Sequence, residues 1–175
     1  MVVAIVLSPS LGAAQAAAKA PEAVARSLSS LVRATVEGLV RDAIIVGTAE
    51  DDLAPIADSA GCAFVAARSS REGFARAVAM SRANVAFVLE GGFVPQIGFI
   101  EEASDLLLHP EAFGGATLRR APNGFLTRIA PGLAEPAGAF ASCAAMRQAA
   151  PRDLKDMIRR LRIRRTLNVR ALKVI

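Results

Sequence analysis

The chain has 175 residues, of which 53% are hydrophobic and 21% charged, enough apolar material for one sizeable core and too much for a disordered chain. It contains no run of about 20 apolar residues free of charge or proline, which excludes a membrane-spanning helix on hydropathy grounds, and its aromatic content is 5%, all Phe, which leaves few stacking surfaces for single-stranded nucleic acid or sugar rings. The formal charge of +5 is concentrated: residues 151–175 hold 9 Lys+Arg against 2 Asp+Glu and residues 1–150 hold 12 against 14, so the basicity belongs to the C-terminus and no nucleic-acid partner is expected.

Residues 2–7 form a short β-branched apolar run ended by Ser8-Pro9-Ser10, the pattern of a strand buried on both faces. An Ala-rich stretch follows, as after a secretory leader, but the positively charged start of a leader is missing and Pro9 follows the run at once, so a buried first strand is the reading adopted. Residues 21–40 show helical spacing, with Val24, Leu28, Leu31, Val32 and Val36 expected on one face and Pro21 in the first turn. Residues 42–46 read as a second strand, residues 51–60 as a short helix closed by Gly61, and residues 62–67 as a third strand.

Residues 71–81 place Phe74, Ala77 and Val78 on one side of a helix, and residues 85–89 form a fourth apolar strand that stops at Glu90-Gly91-Gly92. Residues 100–108 read as a helix, and residues 109–136, rich in Gly and Pro, as loop with room for one strand. Residues 137–150 are small and apolar, Pro151 opens a helix to about residue 165 with Leu154, Met157, Ile158 and Leu161 on one face, and residues 170–175 suit a last strand. Strands alternating with helices predict a single α/β domain, a doubly wound, mostly parallel sheet flanked by helices, whose ligand site lies beyond the strand carboxyl ends.

Three loops at those ends carry the candidate chemistry. Ser8-Pro9-Ser10-Leu11-Gly12 offers hydroxyls and backbone N–H groups but neither a GxxxxGK[ST] nor a GxGxxG phrase. Gly47-Thr48-Ala49-Glu50-Asp51-Asp52 brings three carboxylates, suited either to a ribose or base or to the start of the following helix. Glu90-Gly91-Gly92 has one carboxylate and two glycines that admit close backbone approach, a thin donor set for Mg²⁺ or Mn²⁺.

His109 is the only histidine and precedes Pro110, and Cys62 and Cys143 lack metal-ligand spacing, so nucleophile–histidine machinery, a zinc site and a disulfide scaffold are disfavoured and a reducing compartment fits. Asp153 and Asp156, three apart, suit a general base and its partner or the N-terminal charges of a helix. Arg159, Arg160, Arg162, Arg164 and Arg165 interleave with apolar residues and suit an anionic membrane surface, a diphosphate or a solvated face.

Four phrases stand out: Val46-Gly47-Thr48-Ala49-Glu50-Asp51-Asp52; Ile56-Ala57-Asp58-Ser59-Ala60-Gly61; Glu90-Gly91-Gly92-Phe93 with Gly98-Phe99-Ile100-Glu101-Glu102; and Asp153-Leu154-Lys155-Asp156-Met157-Ile158-Arg159-Arg160-Leu161. With the element order they resemble a family 2 glycosyltransferase of GT-A fold, of the short bacterial type that is little more than the catalytic domain. The resemblance implies a nucleotide-contacting loop at Ser8 and Ser10, with Asp52 on the last acidic position of the second phrase and Gly47 on its first. It also implies Glu90, Gly91 and Gly92 at the donor and metal position, where the metal-coordinating aspartate of the family falls on Gly92 and leaves Glu90 as metal ligand, and Asp153 or Asp156 as the base for an acceptor hydroxyl.

The activity implied by the resemblance is transfer of a sugar from a nucleotide-diphosphate sugar to an acceptor hydroxyl. Residues 1–108 would be the nucleotide-binding half and residues 109–175 the acceptor-side half, in a cytoplasmic protein whose basic C-terminal helix could touch the inner membrane face. Three variants stay open: Glu90 with Asp52 holding Mg²⁺ or Mn²⁺ weakly, Arg side chains of the last helix replacing the metal, or a noncatalytic GT-A-like binding protein. A nucleotidyltransferase ranks behind these, because Ser8-Pro9-Ser10-Leu11-Gly12 has one glycine and no cation, where such an enzyme opens with a Gly-rich loop carrying Arg or Lys.

Overall fold

Residues Val2–Leu7 (β1) are all buried, as an apolar run without alternation requires when a strand is covered on both faces. In the computed structural model of the protein the described residues are 1–11, 19–108, 114–122 and 134–174. After β1 come α1 (Ala20–Val36), β2 (Val40–Gly47), α2 (Ala54–Ala60), β3 (Ala63–Ala66), α3 (Ser70–Met80) and β4 (Val85–Glu90). The chain continues through β5 (Phe93–Pro95), α4 (Phe99–Leu107), β6 (Ala116–Arg120), β7 (Pro136–Ser142), α5 (Cys143–Ala149), α6 (Leu154–Arg160) and β8 (Arg165–Lys173).

The strands form one sheet in the order β3-β2-β1-β4-β7-β6-β8-β5. β3, β2, β1 and β4 run parallel, β7 lies antiparallel between β4 and β6, β8 runs parallel to β6, and β5 closes the far edge antiparallel to β8. Alternate residues of β1 feed opposite faces. Val2, Ala4 and Val6 pack with Val24 and Leu28 of α1 and with Phe99 and Leu106 of α4. Val3, Ile5 and Leu7 pack with Phe74 of α3, Met146 of α5 and Met157 of α6.

The far end of the sheet is bent by covalent reach. β5 follows β4 after only Gly91 and Gly92, yet in sheet order the two are separated by β7, β6 and β8. In a flat sheet four strand spacings put them about 19 Å apart, whereas the three Cα steps from Glu90 to Phe93 span at most about 11 Å. The sheet therefore curls, and β8 and β5 return toward the carboxyl end of β4.

Several sequence expectations need correction. α1 stops at Val36, because Gly38 takes a φ of +79° and the Leu39 amide turns back onto the Ala34 carbonyl. Its buried stripe runs through Ala20, Ala23, Val24, Ser27, Leu28, Leu31 and Ala34, whose small members let the helix lie close on the sheet, and so Val32 and Val36 face solvent, 60% and 81% exposed. The expected helix over 51–60 divides into a 3-10 turn, Ala49–Asp51, and α2. Residues 137–150 divide into β7 and α5, and the short β5 had no period to reveal it.

α6 ends at Arg160, not near residue 165, since Arg162 adopts a φ of +52° and Ile163 turns into the core. The five arginines are thereby spread over a helix end, a turn and the start of β8 and share no helical face. The expected strand at 109–136 is β6, while His109 lies outside the described residues. No described helix is long and apolar enough to cross a membrane.

The inner face of the curl is filled by three phenylalanines: Phe87 lies 4.5 Å from Phe140 and 4.9 Å from Phe99, ring centre to ring centre. Phe140→Ala is expected to lower unfolding free energy by about 3–5 kcal/mol, read from urea midpoints; a loss under about 1 kcal/mol would show that the ring cluster does not hold the curl.

Candidate functional site

The chain order makes β1 the pivot of the sheet. From β1 it moves outward to β2 and β3 and then crosses back to β4 on the other side of β1, and a doubly wound sheet opens a crevice outside the carboxyl ends at such a reversal. A cleft of about 370 Å³ lies there, lined by Leu7, Ser8, Pro9 and Leu11 after β1, Ser70 of α3, Glu90 and Gly91 at the end of β4, Phe93, Arg120, Asp153, Leu154 and Lys173. The curl supplies its far wall, since Phe93, Arg120 and Lys173 belong to β5, β6 and β8. A groove of about 480 Å³ containing Val3, Arg41, Cys62 and Arg82 sits at the opposite, amino end of the parallel strands, the end from which strand-terminal loops do not reach a ligand.

Glu90 and Arg120 set the electrostatics of the cleft. Arg120 Nη2 donates to Glu90 Oε2 at 2.8 Å and its Nη1 to Glu135 Oε2 at 2.6 Å, while its guanidinium lies 4.7 Å from the centre of the Phe93 ring. Lys155 Nζ donates to the other oxygen of Glu135 at 2.5 Å, so carboxylates and cations alternate in a chain that leads from Glu90 and Arg120 in the cleft to Glu135 and Lys155 beyond its lining. Burial pushes the Glu90 carboxyl above its ordinary range despite the opposing pull of Arg120. Glu135 is held below its ordinary range by the hydrogen bond from Lys155 and the charge of Arg120.

Gly91 and Gly92 are held in the turn by backbone bonds. The Gly91 N–H donates to the Leu7 carbonyl at 2.8 Å, and a Cβ on Gly91 would stand 2.9 Å from that same oxygen. Gly92 has a φ of +87°, its N–H donates to Ser27 Oγ and the Ala23 carbonyl, and its carbonyl accepts from the Val174 N–H. Both peptide N–H groups are thus bonded within the protein.

The second loop departs from expectation by one residue. Asp52 is exposed, with a φ of +50°, whereas Asp51 is 2% exposed and its Oδ2 accepts from Ser8 Oγ at 2.8 Å, from Ser10 Oγ and from the Thr48 N–H at 2.9 Å. Burial acts to raise the Asp51 carboxyl, but the donors Ser10, Ser8 and Thr48 together hold it below its ordinary value. Asp51 Oδ1 is buried with no partner among the described residues. A Cβ on Gly47 would lie 2.9 Å from Asp51 Oδ2 and 2.5 Å from Leu53 Cδ1, so the Asp51 carboxylate fills the space of a side chain at position 47. Ser8 and Ser10 turn their hydroxyls to this buried carboxylate and fix the floor of the cleft.

Asp153 and Asp156 part company. Asp153 lines the cleft and caps α6, its Oδ1 accepting the Asp156 N–H at 2.8 Å. Asp156 accepts from the Arg152 N–H at 3.0 Å, from Arg159 at 2.5 Å and from Arg160 at 2.6 Å, and these donors lower its pKa from 3.8 to about 2. That ties Asp156 to the arginines of its own helix rather than to the cleft.

Of the residues expected at the site, Ser8, Glu90, Gly91 and Asp153 meet in the cleft, Ser10 reaches it through Asp51, and Asp52 and Asp156 stand outside. Asp51, Arg120 and Lys173 were missed. Asp51 is indistinguishable from its neighbours in an acidic run, Arg120 sits in a Gly/Pro-rich stretch read as loop, and Lys173 enters only because the sheet curls. Among the described residues no three His, Cys, Asp or Glu side chains gather as a metal site.

The stabilisation that Asp156 contributes is fully present above about pH 5, where the carboxylate is ionised in folded and unfolded chains alike, and is lost as pH falls through 3.8 toward its folded value of about 2. In urea titrations over that range, Asp156→Asn is expected to be less stable than the parent at pH 6 and to close the gap on acidification; a constant gap would contradict the assignment.

No protein-family model matches the sequence, and no curated protein shows significant similarity to it. Solved structures do share the fold. Glucosyl-3-phosphoglycerate synthase from Mycobacterium tuberculosis, in complex with phosphoglyceric acid, superposes with a TM-score of 0.59 at 16% identity over 94% of this chain and 69% of that one. The same synthase in complex with Mn²⁺, UDP-glucose and phosphoglyceric acid gives 0.55 at 16% identity, over the same shares of the two chains. A 4-diphosphocytidyl-2C-methyl-D-erythritol synthase gives 0.54 at 16% identity over 95% of this chain and 87% of that one. At these identities the likeness concerns the backbone, and on it the chain is an α/β protein with a GT-A-like fold.

Proposed function

We propose that the protein binds a nucleotide-diphosphate sugar in the cleft between β1 and β4 and transfers the sugar to an acceptor hydroxyl. The observation that carries this reading is one cleft, at the sheet's topological reversal, holding a carboxylate, Asp153, together with the cations Arg120 and Lys173. A hydroxyl acceptor needs a base, and a diphosphate leaving group needs positive charge.

In the step itself the acceptor O–H gives its proton to Asp153 while its oxygen bonds to the anomeric carbon. The bond from that carbon to the diphosphate oxygen breaks, and the electron pair leaves with the nucleoside diphosphate, whose charge Arg120 and Lys173 offset. Asp156 does not share the role of base, because three donors already occupy its carboxylate. The solved synthase holding UDP-glucose and Mn²⁺ supports the nucleotide-sugar reading through shared fold.

A nucleotidyltransfer reading draws on the erythritol synthase, 87% of whose length is covered. Against it, Ser8-Pro9-Ser10-Leu11-Gly12 has one glycine and no cation, and the first basic residue after β1 is Lys19 at the start of α1.

The test is thermal stability with uridine, guanosine, cytidine and adenosine diphosphates, their sugars and the triphosphates. A matching donor at a hundredfold over its Kd is expected to add about 2.7 kcal/mol, a rise of roughly 5–10 °C for a chain of this size. Asp153→Asn is expected to keep that shift and lose about 10²–10⁴-fold in sugar transfer. Binding without turnover in the parent would leave a noncatalytic binding protein, a response to triphosphates alone would favour nucleotidyl transfer, and no response to any member would overturn the reading.

A further inference from the structure

The GT-A-like fold and a solved relative in fold holding Mn²⁺ raise the question of a divalent cation here, and the residues at the end of β4 do not fit one. Mg²⁺ and Mn²⁺ favour sets of oxygen ligands in which carboxylates and substrate phosphates share the charge. Glu90 is the one carboxylate on this turn, and its Oε2 is held 2.8 Å from the Arg120 guanidinium. Gly91 and Gly92 bring no side chain, and the carbonyl of Gly92 is taken by the Val174 N–H. A divalent ion placed on Glu90 would sit against a permanent positive charge.

That positive charge is itself placed to meet a diphosphate. Arg120 rests on the Phe93 ring, lines the cleft beside Lys173, and keeps a buried Nε without a partner among the described residues. A guanidinium is a planar fork of donors that matches two phosphate oxygens at once. Of its two present partners, Glu135 on Nη1 and Glu90 on Nη2, Glu90 is the one a phosphate displaces more readily, since burial disfavours its ionised form while Glu135 is held ionised by Lys155 and Arg120.

Building on the proposed nucleotide-sugar site, we infer that the cleft binds the diphosphate without a divalent cation, Arg120 exchanging its bond to Glu90 for bonds to phosphate oxygens. Glu90 is then a counter-ion that holds the guanidinium in place and not a metal ligand. The two roles predict opposite effects of one substitution. Removing the charge of a metal ligand abolishes metal-dependent binding, whereas removing the charge of a counter-ion frees the arginine for the ligand.

The experiment is calorimetric titration of the full chain with uridine, guanosine, cytidine and adenosine diphosphates, first in excess EDTA and then in Mn²⁺. The diphosphate that binds is expected to do so in EDTA within about threefold of its Kd in Mn²⁺. Glu90→Gln is expected to tighten it in EDTA. Arg120→Met is expected to weaken it by about 10–100-fold, as loss of charged hydrogen bonds does, and Arg120→Lys to recover part of that loss. Binding that requires Mn²⁺ and vanishes in Glu90→Gln would overturn the inference and leave the nucleotide reading standing. Unchanged binding in a folded Arg120→Met, checked by circular dichroism, would also overturn it. Absence of binding by every diphosphate in both conditions would overturn the nucleotide reading and this inference with it.

Discussion

The length of one connection governs the architecture. Gly91 and Gly92 are all that separates β4, in the middle of the sheet, from β5 at its edge, and the intervening strands must bend to satisfy that reach. The turn is held by polar bonds on both sides: Ser27 Oγ donates to the Phe93 carbonyl at 2.9 Å and accepts from Gly92, and Val174 ties the end of β8 to the same residue. Because the bend is made by backbone reach, the wall it creates is part of the fold. Phe93, Arg120 and Lys173 arrive at the cleft from three different strands without a loop to carry them.

In and around the cleft most polar groups already have partners. Asp51 gathers Ser8, Ser10 and Thr48, Glu90 takes Arg120, and Asp156 takes two arginines and an amide. Internal satisfaction of this kind stiffens a site before any ligand arrives, since a buried carboxylate with several donors resists displacement. It also narrows the chemistry, because groups engaged with one another are poor metal ligands and poor bases. Asp153 escapes this: as the cap of α6 it engages one oxygen with a backbone N–H and remains exposed on the cleft.

The fold was largely legible in the sequence and the site was only half so. Unbroken apolar runs such as 2–7 and 85–89 announce strands covered on both faces, and their alternation with helical spacing fixes the parallel half of the sheet. The antiparallel half was harder, because β5 and β6 are short and lie among glycines and prolines, where no period can build up. At the site, the strand-end positions of Ser8 and Glu90 follow from the element order. The exchange of Asp52 for Asp51 turns on a single left-handed residue, and the pairing of Glu90 with Arg120 spans 30 positions, a long-range contact that no local pattern encodes. Val32 and Val36 show the same limit in the core, since apolar spacing marks a face but the small residues decide how far the helix is rolled.

The crowding at Gly47 decides which side chains that position can accept. With Asp51 Oδ2 and Leu53 Cδ1 already in the space of its missing side chain, a carboxylate introduced at position 47 by one mutation would collide with the carboxylate that occupies its place. An acid there would force Asp51 and Leu53 to shift, and Ser8 and Ser10 would lose the acceptor that orders them. Asp51 and Leu53 together therefore close position 47 to a side chain, and the carboxylate beneath the cleft stands on Asp51 instead.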